Sequence, residues 1–171
     1  GDAKLGAGQV LEEGFYYDFG NLRISEGDFP IIEAEIKKIV KNNYQFKKLI
    51  KTEKEAEKIL KGEKYKLELL REIKDQITFY QDNEFVDLCA GPHVKSTGEV
   101  KAIKLLKVAG AYWKGNEKNN MLLRIYGTAF SSQKELDEFL KLKEEAEKRD
   151  HRKLGRELEL FFFSDLSPGS P

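Results

Sequence analysis

The sequence has little of several residue types that define protein classes. Its 171 residues include one cysteine, Cys89, so no disulfide can form within the chain, and a reducing compartment such as the cytoplasm is favoured. No apolar run is long enough to span a membrane. Thirty basic residues balance 30 acidic ones. The chain as a whole therefore has no basic field for nucleic-acid binding, although this balance is compatible with a local basic patch.

The remaining composition is that of a soluble globular protein. Hydrophobic residues make up 40% of the chain and charged residues 35%, which fits a modest core under a heavily solvated surface. The length allows one domain plus an appendage. The sequence begins without a methionine or a signal-peptide pattern, and it ends just after an aromatic strand pattern. We therefore expect an internal segment of a longer protein.

Short strand and helix patterns alternate irregularly, which predicts an α+β fold with an antiparallel or mixed sheet rather than a wound parallel sheet. The helices are predicted from hydrophobic spacing and from capping boxes. Predicted strands cover Gln9–Asp18, Leu22–Ile24, Tyr44–Ile50, Ile77–Gln81, Phe85–Leu88 and a long hairpin of Ala102–Trp113 with Met121–Phe130; predicted helices cover Ile31–Lys41, a segment from Thr52 to Lys61, and Lys66–Ile73.

A long charged helix is predicted from Gln133 to about Asp150, with Ser132 and Glu135 as its capping box. Its second half is almost wholly charged, as expected of a solvated connector between domains. The apolar strand pattern that follows, ending in Phe161–Phe163, requires burial in a larger sheet. We therefore expect a domain over residues 1–130, a linker helix over 131–153, and the start of another domain over 154–171.

Cys89 and His93 are the residues most suited to chemistry. Gly91 and Pro92 between them predict a sharp turn that aims both side chains into one cleft. A thiolate and an imidazole can bind zinc or polarise a water, and Asp87 can orient His93 or accept a proton. Other interpretations stay open: a lone cysteine is most often packed and inert, and two ligands make only half a zinc site. Cys–His nucleophilic catalysis is weaker still, because close sequence neighbours rarely give in-line geometry.

The segment Asp87–His93 resembles the signature of the second additional domain of threonyl-tRNA synthetases. Alanyl-tRNA synthetases share that domain, but their version resembles Cys-Gly-Gly-Thr-His. Other segments resemble the threonyl family in the same order along the chain; they are Gly14–Asp18, Ala109–Gly115, Leu123–Ala129, and Arg149–Gly155 followed by Phe161.

The resemblance implies a domain that hydrolyses mischarged seryl-tRNA within a threonine–tRNA ligase. Its editing site would include Cys89, His93, Asp87 and Lys66, with Tyr17 binding substrate, and Cys89 with His93 would form an incomplete zinc site. Lys66 would hold the ester carbonyl or the terminal ribose, unless it is an ordinary surface lysine. Tyr17 would bond the ribose, unless it only packs. His151 is expected on the surface, and the ring residues expected in the core are Trp113 and Tyr126.

The family's editing site also uses a His-x-x-x-His pair upstream of the early strand, and this sequence holds no such pair. The resemblance further implies a cytoplasmic homodimer that uses ATP and Mg²⁺ to join threonine to tRNA-Thr, with those functions outside this segment. The isolated segment is therefore expected to be inactive in aminoacylation. Alternatives are a free-standing or alanyl-type editing domain and a non-catalytic tRNA-docking module.

Overall fold

The computed structural model describes residues 2–157, which form the α+β architecture that the sequence predicts. They fall into two compact units that divide between Ser131 and Ser132. In chain order the elements are β1 (Lys4–Leu11), β2 (Gly14–Gly20), α1 (Phe29–Asn42), β3 (Lys47–Ile50), α2 (Glu53–Ile59), α3 (Lys64–Leu70), β4 (Thr78–Asp82), β5 (Phe85–Leu88), β6 (Ala102–Tyr112), β7 (Met121–Phe130) and α4 (Gln133–Glu157).

The larger sheet has four antiparallel strands in the order β1-β2-β7-β6. Helix α1 begins with Pro30 in its first turn, where the missing N–H of proline costs nothing. Phe29 of this helix packs against Leu105 and Ile125, which lie on neighbouring strands of the hairpin. Burial of this apolar cluster holds α1 on one face of the sheet.

The smaller sheet has three antiparallel strands in the order β3-β4-β5. Helices α2 and α3 pack on one face and bury it from solvent. The other face is open, and there Ile50 is 60% and Phe85 53% exposed. Since side chains alternate along a strand, this sheet separates a core face from a face that is accessible to a ligand. The buried core cluster comprises Ala56, Leu60, Leu70, Phe79 and Leu88.

Helix α3 contacts both sheets. Leu70 belongs to the core of the smaller sheet, whereas Tyr65 packs against Trp113 and Leu122 of the larger one. Lys66 follows Tyr65 and is only 3% exposed. A lysine in this position needs a compensating partner, because an unpaired buried ammonium is costly.

The predicted strand Gln9–Asp18 is wrong in its bounds. It is two antiparallel strands, since the chain turns at residues 12–13 and Leu11 pairs with Gly14. Gly14 has a φ of +147°, and a Cβ there would lie 2.2 Å from the carbonyl oxygen of Gly127. Glycine at this close approach lets β2 start at once after the turn.

The predicted strand Leu22–Ile24 does not form, because both residues pack irregularly against the α1 cluster. The other predicted strands and helices are present with bounds shifted by a few residues. Phe85–Leu88 and Met121–Phe130 have the predicted bounds. The capping box of Thr52 and Glu55 forms as expected.

The second unit consists of α4 over its described part. The Ser132 Oγ accepts a hydrogen bond from the Glu135 N–H at 3.3 Å, as predicted for the cap. The predicted strand that ends in Phe161–Phe163 lies outside the described residues, and the boundaries 1–130, 131–153 and 154–171 stay predictions. No helix within residues 2–157 has the length and apolar character needed to cross a membrane.

Candidate functional site

The open face of the smaller sheet carries the Asp87–Cys89 segment. Strands β4 and β5 are joined by a two-residue turn, in which Asn83 has a φ of +47°. The resulting register places Tyr80 directly opposite Asp87. Opposite residues of an antiparallel pair share a face, so both side chains stand on the open side. Leu88 consequently points into the core.

Cys89 is held just beyond the end of β5 by Thr78. The Cys89 N–H donates to the Thr78 carbonyl oxygen at 3.1 Å, and the Thr78 hydroxyl donates to the Cys89 carbonyl oxygen at 2.7 Å. These two bonds continue the pairing of β4 with β5. Cys89 therefore keeps the same facing as Asp87, two residues earlier.

Asp87 binds two polar side chains from other elements. The Tyr17 hydroxyl of β2 donates to Oδ2 at 2.8 Å. The Lys66 ammonium of α3 lies 2.8 Å from Oδ2 and 2.8 Å from Oδ1. Lys66 thus finds the partner that its burial requires, in a charge-assisted contact of the strong kind. It is not the surface lysine that was the alternative interpretation.

The Asp87 carboxylate is incompletely satisfied. Within the described part of the chain, its buried Oδ1 lies near the Lys66 ammonium but has no aligned hydrogen-bond partner. The ammonium also donates to the Leu88 carbonyl oxygen at 3.4 Å, so one of its hydrogens is directed away from the Asp87 carboxylate. An under-satisfied buried acceptor is costly and is uncommon in native structures outside functional positions.

The electrostatic environment keeps Tyr17 protonated. Burial raises the pKa of the Tyr17 phenol far above its ordinary range, and the charge and hydrogen bond of Asp87 raise it further, followed by smaller effects of Cys89 and Glu63. The phenol therefore acts as a donor at all physiological pH values.

His93 lies against aromatic rings. Its imidazole stacks on the Tyr80 ring with centroids 3.9 Å apart and an interplanar angle of 15°, and the Phe46 ring lies 5.2 Å away in a tilted arrangement. Burial lowers the pKa of His93, and the charges of Asp87 and Asp82 oppose that shift in part. The imidazole is therefore neutral near pH 7 and can accept a proton.

The turn between Cys89 and His93 depends on Gly91. This residue has a φ of +78°, and the Gly91–Pro92 peptide bond is cis. The Gly91 N–H donates to the Cys89 Sγ at 3.4 Å. The sharp turn predicted from Gly91 and Pro92 is thus present.

A zinc site is not completed by these residues. Among the residues that the structure describes, no group of three or more His, Cys, Asp or Glu side chains is arranged to hold a metal ion. Cys89 and His93 therefore do not fit a metal site by themselves.

The structure brings together Tyr17, Lys66 and Asp87, which the sequence predicted as members of one site. Trp113 is buried as expected, whereas Tyr126 is only half-buried and lies beside Tyr16. His151 is exposed on α4, as predicted.

Three contact residues were not predicted: Tyr80, Phe46 and Thr78. The signal that would have found Tyr80 and Thr78 is the two-residue turn at Asn83, which fixes their register against Asp87 and Cys89.

Comparison with known proteins places this site in a family. A family profile described as the threonyl and alanyl tRNA synthetase second additional domain matches residues 77–126. That range contains β4, β5, the Asp87–His93 segment and most of the long hairpin. Residues 77–126 therefore match the family of that domain, which is the class that the signature predicted.

The particular relatives are threonine–tRNA ligases. That of Thermotoga neapolitana is 53% identical over 99% of this chain and 27% of its own length. That of Caldanaerobacter subterraneus is 54% identical over 99% of this chain and 27% of its length, and that of Clostridium botulinum strain Okra is 50% identical over 99% and 28%. The chain thus corresponds to one segment of such ligases and spans about 27% of their length.

Proposed function

We propose that this chain is the editing region of a threonine–tRNA ligase and hydrolyses the ester of seryl-tRNA. The observation that carries the proposal is the cluster of the buried Lys66 with the half-buried Tyr17 and Asp87, beside the turn that bears Cys89 and His93. ATP- and Mg²⁺-dependent joining of threonine to tRNA-Thr belongs to the whole ligase, which we propose to be a cytoplasmic homodimer.

A second site is needed for a physical reason. Serine is threonine without one methyl group, and one missing methyl changes binding by only about 1–3 kcal/mol. A synthetic site cannot reject a smaller substrate by sterics, so serine is attached to the tRNA. A separate hydrolytic site that excludes the methyl of threonine removes the error.

The proposed reaction uses the neutral imidazole of His93 as the base. His93, assisted by Cys89, takes a proton from water, and the water oxygen bonds to the seryl carbonyl carbon. The carbon–oxygen bond to the terminal ribose then breaks, and the ribose oxygen takes up a proton, which leaves free serine and tRNA. Lys66 faces the ester carbonyl or the ribose, and Tyr17 bonds the ribose. Asp87 holds Lys66 and Tyr17 in place.

The test is hydrolysis of seryl-tRNA by a full-length threonine–tRNA ligase in which this segment replaces the matching one. His93→Ala and Cys89→Ala are each expected to reduce hydrolysis on the order of 10²-fold or more, the range for loss of a general acid–base group, while aminoacylation is retained. His151→Ala is the matched control, because that histidine is exposed on α4.

Normal hydrolysis in both variants contradicts the proposal. A docking module gives a different pattern, in which tRNA is bound, the ester is not hydrolysed and the loss of Cys89 is tolerated. Binding of tRNA and hydrolysis of the ester are therefore measured separately.

A further inference from the structure

Tyr80 is the side chain around which the Cys89–His93 turn is folded. The His93 imidazole lies flat on its ring, with centroids 3.9 Å apart. On the other side of the turn, a Cβ added to Gly91 would lie 2.2 Å from the Tyr80 Oη. The phenol ring is thus enclosed by Gly91 and His93 together.

Tyr80 and His93 differ in how firmly the backbone holds them. Tyr80 lies on the central strand β4, where it is paired with Lys48 on one side and Asp87 on the other. His93 lies in an irregular segment between β5 and the next element. A residue on a central strand is fixed by hydrogen bonds on both sides, whereas a loop residue takes its orientation from what it packs against.

We propose that Tyr80 is a positioning residue for ester hydrolysis, which holds the His93 imidazole by face-to-face stacking over the open sheet. The proposal rests on the function proposed above for His93. Stacking covers the ring face and leaves both ring nitrogens, which lie in the ring plane, available to water and to a partner. Tyr80 itself touches no reacting atom.

The stack also covers part of the His93 ring. The aromatic surfaces of Tyr80 and Phe46 contribute to the burial that lowers the pKa of the imidazole. The charged groups that act on it are Asp82 of β4 and Asp87 of β5, and both oppose that effect. Removal of the Tyr80 ring is therefore expected to shift the His93 pKa upward.

The first experiment is NMR of the 171-residue chain with labelled histidines. Tyr80→Leu is expected to remove the ring-current shift of the His93 ring protons and to raise its pKa, while Tyr80→Phe preserves both. His151 serves as the internal reference. Phe85→Leu is the matched control, because Phe85 lies on the same sheet face and is 53% exposed. Tyr80→Val, which suits a central strand, replaces Tyr80→Leu if circular dichroism shows that the leucine variant does not fold.

The second experiment measures seryl-tRNA hydrolysis by the hybrid ligase. Tyr80→Leu is expected to lower kcat by up to about 10²-fold, the effect of misplacing a catalytic group by about 1 Å, with little change in KM. Tyr80→Phe is expected to hydrolyse as the unchanged protein does.

Two results overturn the proposal. One is an unchanged His93 spectrum and pKa in Tyr80→Leu; the other is a Tyr80→Phe variant as slow as Tyr80→Leu, which would assign the role to the hydroxyl. A failure of the proposed function is distinguishable, because His93→Ala would then leave hydrolysis intact whatever the spectra show.

Discussion

Two aspartates of the first unit are buried beside a cation, and they differ in how completely the cation satisfies them. Asp18 accepts two hydrogen bonds from the Arg124 guanidinium, at 2.7 and 2.9 Å. Asp87 binds one ammonium and one phenol, and its Oδ1 has no aligned donor within residues 2–157. The two donors of a guanidinium satisfy both oxygens of a structural carboxylate. A single ammonium leaves one carboxylate oxygen of the site able to accept a further hydrogen bond.

The two pairs also differ in what they connect. Asp18 and Arg124 are direct neighbours on β2 and β7, so their pair lies within one sheet. Lys66 and Asp87 join α3 to the smaller sheet, and Tyr17 adds a contact from the larger one. Tyr17 and Asp18 are consecutive on β2 and therefore point to opposite faces of its sheet. One strand thus serves a structural pair on one face and the site on the other.

The largest expected effect comes from removing each cation. Lys66→Met and Arg124→Met each leave a buried carboxylate without its counter-charge, which typically costs about 3–5 kcal/mol of unfolding free energy. We expect only Lys66→Met to abolish seryl-tRNA hydrolysis by the folded protein. Urea unfolding and single-turnover hydrolysis measure the two quantities.

Paired variants sharpen that test. In Lys66→Met with Asp87→Leu, and in Arg124→Met with Asp18→Leu, both charges are gone and much of the stability is expected to return. Hydrolysis should stay absent in the first pair and be retained in the second. If the first pair hydrolyses seryl-tRNA normally, the contrast between structural and functional aspartates is wrong.

A smaller effect is expected from the two adjacent tyrosines. Tyr17→Phe removes a part-buried hydrogen bond to a charged carboxylate, which is worth about 1.5–3 kcal/mol. Tyr16→Phe removes only an exposed bond to Gln9 and should change stability by less than about 0.5 kcal/mol. Equal losses in thermal or urea unfolding would contradict the assignment of Tyr17 to the site.

The smallest effect concerns pH. Burial lowers the pKa of His93, so the rate of hydrolysis should rise with pH and level off, with its midpoint below the ordinary value of about 6.5. Below that midpoint the rate is expected to fall about tenfold per pH unit, as for one required base. The Asp18–Arg124 pair should not contribute to this pH dependence of hydrolysis, because hydrogen bonding to Asp18 raises the pKa of an already basic guanidinium.

The lowered pKa of His93 also makes the free energy of unfolding increase with pH. Between its lowered pKa and about 6.5, native His93 binds fewer protons than the unfolded chain does. Its contribution to stability is therefore present above about 6.5, falls as the pH drops through that window, and is lost below the folded pKa. His93→Gln should abolish this part of the pH dependence of urea unfolding; an unchanged profile in that variant would contradict the shift.

The elements with strong local signals could be predicted from the sequence. Strand alternation and the long intervening loop identify the β6–β7 hairpin, and Thr52 with Glu55 identifies the start of α2. The members of the site could be named only by resemblance, because Tyr17, Lys66 and Asp87 are far apart in the chain.

The remaining features depend on tertiary packing. Lys66 looks like a surface lysine on a short helix until α3 is placed against both sheets. The register that sets Tyr80 opposite Asp87 follows from the two-residue turn at Asn83. The stacking of His93 on Tyr80 depends in addition on how the irregular segment after β5 folds back. The break at residues 12–13 was missed, although Glu12, Glu13 and Gly14 interrupt the apolar residues there and form a turn signal. The chemical roles of Cys89 and His93 stay predictions.

The two-residue turn between β4 and β5 limits whether residues can be inserted at that point of the chain. The turn fixes the register of β5 against β4, and this register places Asp87 on the open face and Leu88 in the core. One added residue that shifted the register would exchange those destinations, placing a carboxylate among apolar side chains and a leucine in water. The loop over residues 116–120 has a different constraint. Its Asn119 and Asn120 amides bond the Trp113 carbonyl oxygen and the Tyr65 hydroxyl, so an added residue there would disturb those contacts.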